Sequence, residues 1–144
     1  MLQTRSEQKA NWFIGRCKEL GMKITPQRVA VYKELSMSFE HPSAEEIYNK
    51  IKCYHPNVSL TTVYRTLETF EKMGIISVVN TFYNAARYDA NLEPHNHLIC
   101  VRCKKVQDLY DESLNNLTIK ESKDYKILGY NILVKGVCTE CQKN

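Results

Sequence analysis

The sequence contains no apolar run approaching the roughly 20 residues a helix needs to span a bilayer, so an integral helical membrane protein is excluded. Residues Met1 to Asn11 are polar and hold no apolar signal core, so secretion is not expected. There is no internal repeat and no low-complexity tract. Histidine is scarce, with four in 144 residues and none after His97. No Glu stands between His95 and His97, and no nucleophile motif is present. Charge of one sign is also in short supply. The net is only +4 and leans weakly toward the N-terminal half, which permits nucleic-acid binding without demanding it. A solvated surface would give similar totals. With 43% hydrophobic and 25% charged residues, the chain reads as one or two small globular domains of the reducing cytoplasm.

Cysteine, by contrast, is plentiful for such a compartment. Four of the six form two Cys-x-x-Cys pairs, Cys100/Cys103 and Cys138/Cys141. In a reducing setting that spacing favours a metal over disulfides, because each pair places two thiolates on one side of an ion. The intervening 34 residues exceed usual zinc-ribbon spacing, so the site would act as a fold-closing staple. Cys17 and Cys53 read as small buried hydrophobes on helices.

The first half carries helix punctuation. A helix is expected from Arg5 to Leu20, ended by Gly21 in the left-handed conformation. Thr25-Pro26 caps and opens a second, with Val29, Val31, Tyr32 and Leu35 on its buried side. Ser43-Ala44-Glu45-Glu46 is a capping box for a third, running toward Cys53. Ser59 caps a fourth that reaches Met73 and stops at Gly74; Leu60, Val63, Leu67 and Phe70 give it one apolar stripe. From Ile75 to Val79 the pattern turns β-branched. Asn80 to Ala86 then reads as a turn, and Arg87-Tyr88-Asp89 as a return strand. Helices followed by a hairpin outline a winged helix-turn-helix. The expected class is α+β: a winged helix-turn-helix domain over 1–90, a hinge over 91–94, and an α/β dimerisation domain over 95–144. In the last, short strands are expected over 98–101 and 105–109. A helix capped by Asp111 follows over 112–122, and a long strand over 126–137. That half is too small to bury much core alone, so metal and a partner subunit would both help.

Two chemistries stand out. Away from its apolar stripe the fourth helix carries Thr61, Thr62, Tyr64 and Arg65 near its N-terminal end, side chains able to reach bases and phosphates in a major groove. A surface helix in a bundle has the same pattern; the hairpin directly after it favours the DNA reading. Second, His95 and His97 point to one side of an extended segment. Asp89 lies before them, Asp108 after, and His41 stands alone ahead of Pro42. By spacing alone, His97 could instead join three cysteines in one zinc site.

Together these residues match a known pattern. Thr25-Pro26-Gln27-Arg28, His41 through Tyr48, Ser59 through Leu67, Arg87-Tyr88-Asp89, His95-x-His97-x-x-Cys100-x-x-Cys103 and Gly136-Val137-Cys138-x-x-Cys141 resemble the ferric uptake regulator family over nearly the full length. The resemblance implies a winged helix joined to a dimerisation domain and a structural Zn(II) at Cys100, Cys103, Cys138 and Cys141. It also implies a regulatory Fe(II) or Mn(II) held by His41, Asp89, His95, His97 and Asp108. Asp108, where iron-uptake regulators more often carry Glu, and the lack of a histidine after His97 resemble the peroxide-sensing branch. That branch implies a homodimeric repressor of palindromic double-stranded operator DNA, with His41 and His95 as oxidation targets and peroxide as the only small-molecule signal. Asn84-Ala85-Ala86 stands where many members use glycine in the wing; Asn84 can still turn left-handed.

Two other readings compete. One is a repressor that answers iron or manganese level alone. The other is a small metalloenzyme, since histidines and carboxylates also build catalytic centres. Against an enzyme, five ligands leave little room for substrate.

Overall fold

Thr4, Thr25, Ser43 and Ser59 each start a helix by accepting, on the side-chain oxygen, a hydrogen bond from the backbone N–H three residues on. The resulting helices are α1 (Arg5–Leu20), α2 (Pro26–Met37), α3 (Ala44–Ile51) and α4 (Leu60–Lys72). Thr4 and Glu7 form a complete capping box. At Ser43 only half of the expected box is present, because the Glu46 carboxylate is 3.4 Å from Arg87. Gly21 (φ 68°) and Gly74 (φ 71°) follow α1 and α4 in the left-handed region, where a Cβ would be strained. The computed structural model describes residues 3–79, 86–120 and 122–143.

The chain divides into two compact units, Met1–Leu92 and Glu93–Asn144. In the first, Phe13, Val31, Leu35, Ile47, Ile51, Val63, Leu67, Phe70 and Ile75 are almost fully buried. Phe13 stacks on Tyr32 at 4.7 Å and meets Phe70 edge-on at 5.2 Å. On α4 the buried stripe is Val63, Thr66, Leu67 and Phe70, with Leu60 only half-buried. Thr66 satisfies its hydroxyl by donating to the Thr62 carbonyl at 2.8 Å. Cys17 is buried as expected, but Cys53 is exposed, a correction to its reading as a core residue. Strands β1 (Ser77–Val79) and β2 (Arg87–Asp89) form an antiparallel pair, Val78 opposite Tyr88. Most of the turn expected over 80–86 lies outside the described residues.

The second unit is a three-stranded sheet in the order β4-β3-β5. Antiparallel β3 (Asn96–Cys100) and β4 (Val106–Leu109) set His97 opposite Asp108. Parallel β5 (Leu133–Gly136) sets Gly136 opposite Cys100, and the short α5 (Thr139–Gln142) follows.

Two expectations are corrected here. The helix over 112–122 is a single 3-10 turn, Glu112–Leu114, capped by Asp111. Asn115 and Asn116 are poor helix formers. The Tyr130 hydroxyl donates to the Leu114 carbonyl at 2.6 Å and accepts from the Leu117 N–H at 3.0 Å, meeting backbone groups a helix would have used. The long strand over 126–137 shrinks to Leu133–Gly136, because β3 begins at Asn96 and offers no earlier partner. Among the described residues no helix is long and apolar enough to cross a membrane.

Candidate metal centres and nucleic-acid interface

β3 delivers Cys100 to the end of the sheet. The chain turns back through Lys104, whose φ of 67° allows its N–H to reach the Cys100 carbonyl at 2.9 Å. The Lys104 ammonium also donates to the Val101 carbonyl. On the neighbouring strand, Cys138 follows Gly136 by two residues and caps α5, which carries Cys141. The four sulfurs therefore lie within 4.8 Å of one another, with Cys103 and Cys138 at 3.8 Å. A disulfide requires about 2.05 Å, and all four cysteines are free. A tetrahedral ion with Zn–S bonds of about 2.3 Å holds sulfurs roughly 3.8 Å apart, so the donor set and spacing fit zinc. Cys100 Sγ accepts the backbone N–H groups of Cys138 (3.4 Å) and Cys103 (3.5 Å). These hold its thiol down to about 5. Cys141 is pushed up to about 12, chiefly by its hydrogen bond with Cys138. His97 is not part of this cluster, its Nε2 lying 3.6 Å from Asp108 instead, so the geometry favours four cysteines over three plus a histidine.

The first unit brings together His41 and Asp89. Tyr88 N–H donates to the Pro42 carbonyl at 3.1 Å, and Ser43 forms a bridge with Arg87, so the loop after α2 lies along β2. Arg87 adds a contact to the His41 carbonyl at 3.4 Å. His41 Nδ1 then stands 3.6 Å from Asp89 Oδ2, both side chains about 5% exposed or less. The other carboxylate oxygen of Asp89 accepts the Asn91 N–H at 2.8 Å.

The second unit brings together His95, His97 and Asp108. The two-residue period of the strand and the His97–Asp108 register put all three on one face. Asp108 Oδ1 is 3.1 Å from His95 Nε2 and 3.6 Å from His97 Nε2. The Glu93 carbonyl, which can only accept, is 2.5 Å from His95 Nδ1 and so fixes the proton there. In the neutral ring Nε2 then offers a lone pair toward a carboxylate. A cation between the two suits that arrangement, and the oxygen and nitrogen donors fit a divalent metal. Sequence reasoning missed Tyr110, whose ring stacks on His95 at 5.5 Å. Its signal was the strand period, which puts it on the Asp108 face of the β4 edge.

On α4, Thr61, Thr62, Tyr64 and Arg65 are all exposed, with Tyr64 39% accessible. The Thr62 hydroxyl lies 2.9 Å from that of Ser59 and so shares in the cap.

The sequence pattern of the ferric uptake regulator family matches residues 19–135, a span that ends before Cys138 and Cys141. The peroxide-responsive repressor PerR of Staphylococcus aureus is 34% identical over 131 residues, 90% of this chain and 88% of that protein. The ferric uptake regulator Fur of Helicobacter pylori, whose structure reveals three functional metal-binding sites, superposes with a TM-score of 0.74 at 30% identity, covering 99% of this chain and 97% of that one. PerR from Streptococcus pyogenes superposes at 0.55 with 26% identity, over 93% of each chain. The chain therefore belongs to the ferric uptake regulator family of metal-responsive transcriptional regulators.

Proposed function

We propose that this protein is a cytoplasmic, homodimeric repressor that binds palindromic operator DNA when metal-loaded and releases it when peroxide oxidises a histidine ligand. The reading rests on one observation. The nitrogen and oxygen donors divide between the units without a thiolate, His41 and Asp89 in one and His95, His97 and Asp108 in the other. In this proposal residues 1–90 read DNA, 91–94 form a hinge and 95–144 dimerise. One Fe(II) or Mn(II) takes all five donors and ties the reading unit to the dimer unit. A second ion, Zn(II), sits in the four cysteines. Thr61, Thr62, Tyr64 and Arg65 face the bases, and two copies sit at the spacing of two half-sites.

Such a site does not itself choose its metal. Zinc or copper would bind at least as tightly, so availability decides occupancy. Bound Fe(II) would supply the reductant that activates peroxide; Mn(II) would not. The consequences fall on His41 and His95. An imidazole ring that gains one oxygen atom, with the peroxide leaving as water, loses basicity and grips metal poorly. The units then uncouple.

The test is operator binding by gel shift with Fe(II) or Mn(II), each with and without peroxide, followed by peptide mass spectrometry. Expected is loss of binding only in the iron-peroxide arm, with one added oxygen on the His41 or His95 peptide. A second reading, a repressor responding to metal level alone, draws on the 0.74 superposition with the Helicobacter pylori protein. It requires binding that ignores peroxide under both metals.

A further inference from the structure

Beside the reading residues of α4 lies a recess of about 340 Å³, lined by Gln27, Arg28, Asn57, Thr62, Arg65 and Thr69 among others. We propose that it seats one backbone phosphate of the bound DNA, with Arg28 as the principal cation. The proposal rests on the reading of α4 as the DNA-contacting helix and adds a contact outside that helix.

Three observations carry it. The described lining includes two arginines, Arg28 and Arg65, together with amide and hydroxyl residues, and no acidic residue. That is the donor-rich, anion-seeking composition a phosphodiester requires. Second, Thr62, Arg65, Thr66 and Thr69 recur at three- and four-residue steps, so the recess follows one flank of α4. A helix with its side chains is about 10–12 Å across and the major groove about 12 Å wide. Whatever sits on the flank of a helix in that groove faces the phosphates of its walls. Third, Arg28 is already held in place. Its backbone N–H donates to Thr25 Oγ1 at 3.2 Å, and its side-chain Nη1 donates to the Lys23 carbonyl at 2.6 Å. A guanidinium carries five N–H donors, so that one bond leaves most of the fork for an oxyanion.

A phosphate contact is sequence-blind, which separates it from base reading. The test uses the full chain loaded with Mn(II) and two duplexes, one selected by this protein from a random library and one scrambled. Affinities are measured over a range of salt. Arg28→Gln is expected to weaken both duplexes by the same factor. It should also lower the slope of log affinity against log salt by about 1.8 per dimer, about 0.9 for each phosphate no longer neutralised. Arg65→Gln should instead erase the difference between the duplexes. Asn57 is exposed, so Asn57→Asp sets a repelling charge at the recess without touching the core and should weaken both duplexes equally. It decides the matter if Arg28→Gln loses its helical circular dichroism. Wild-type affinity and salt slope in both recess variants, with discrimination lost in Arg65→Gln, overturns the phosphate seat while DNA reading by α4 stands. If the wild-type protein binds neither duplex, both readings fall.

Discussion

His41 has a backbone φ of 51°, a left-handed value that is uncommon outside glycine and concentrates at functional positions. What holds it there is the Arg87 contact to its carbonyl and the Tyr88 bond to Pro42. The strained residue is thus presented by a strand edge to Asp89. Asp108 plays the corresponding part in the other unit, since one oxygen faces both His95 and His97. Asp108→Ala should therefore weaken Mn(II) binding by more than about 100-fold, beyond the 10–100-fold typical of outer-shell partners. Zinc content should not change. Mn(II) titration by electron paramagnetic resonance and metal analysis check both, and unchanged Mn(II) affinity would remove Asp108 from the ligand set. The cysteines differ from one another in protonation. With Cys100 held down to about 5 and Cys141 pushed up to about 12, the metal-free protein at neutral pH has Cys100 as thiolate and Cys141 as thiol. Zinc loading should then release fewer than four protons, with more released only as pH falls below about 5 and Cys100 becomes protonated. Calorimetry in buffers of different ionisation enthalpy counts them, and four at neutral pH would contradict the assignment. At this scale the sequence was informative because ligand chemistry needs particular side chains at short spacings. Tyr110 was hidden because an aromatic ring on a strand edge has many uses.

Helices are legible where punctuation and packing agree. Thr25-Pro26, Gly21, Ser59 and Gly74 are local signals, and local hydrogen bonds satisfy them whatever the rest of the chain does. Thr25→Ala should thus cost about 1 kcal/mol. Leu67→Ala, at a fully buried position on α4, should cost about 2–5 kcal/mol through the cavity it leaves. Denaturant melts compare the two, and a cost at Leu67 no larger than that at Thr25 would mean α4 does not anchor this core. Strand length, by contrast, is a property of pairs. Residues 126–132 have the β-rich composition of a strand, yet Ile127 is 42% and Leu128 90% exposed, because the ladder to β3 starts only at Leu133. The turn at 112–114 stays short for a similar reason, as Tyr130, distant in sequence, meets the backbone groups that would have extended it. Neither fact can be read from a local window.

For the whole molecule, the two units are stabilised by different means. The first buries a continuous apolar core from Phe13 to Ile75. The second has three short strands, and Leu117, Ile119 and Ile127 are each more than 40% exposed. A unit of that size depends on staples and partners. With Zn(II) bound, its staple would be the four-cysteine cluster, joining Cys100 and Cys103 to Cys138 and Cys141 across 34 intervening residues. Closing a loop of that length removes unfolded-state entropy worth on the order of 4 kcal/mol by the cross-link relation. That is a large share of what a small core can supply. Replacing both Cys138 and Cys141 by Ser should therefore strip amide protection from β3, β4 and β5 and dissociate the dimer, while amides of α2 and α4 stay protected. Hydrogen exchange followed residue by residue, with sedimentation for the oligomer, makes the comparison. If helix and strand amides lose protection together, the two units share one cooperative core and the staple is not specific to the second.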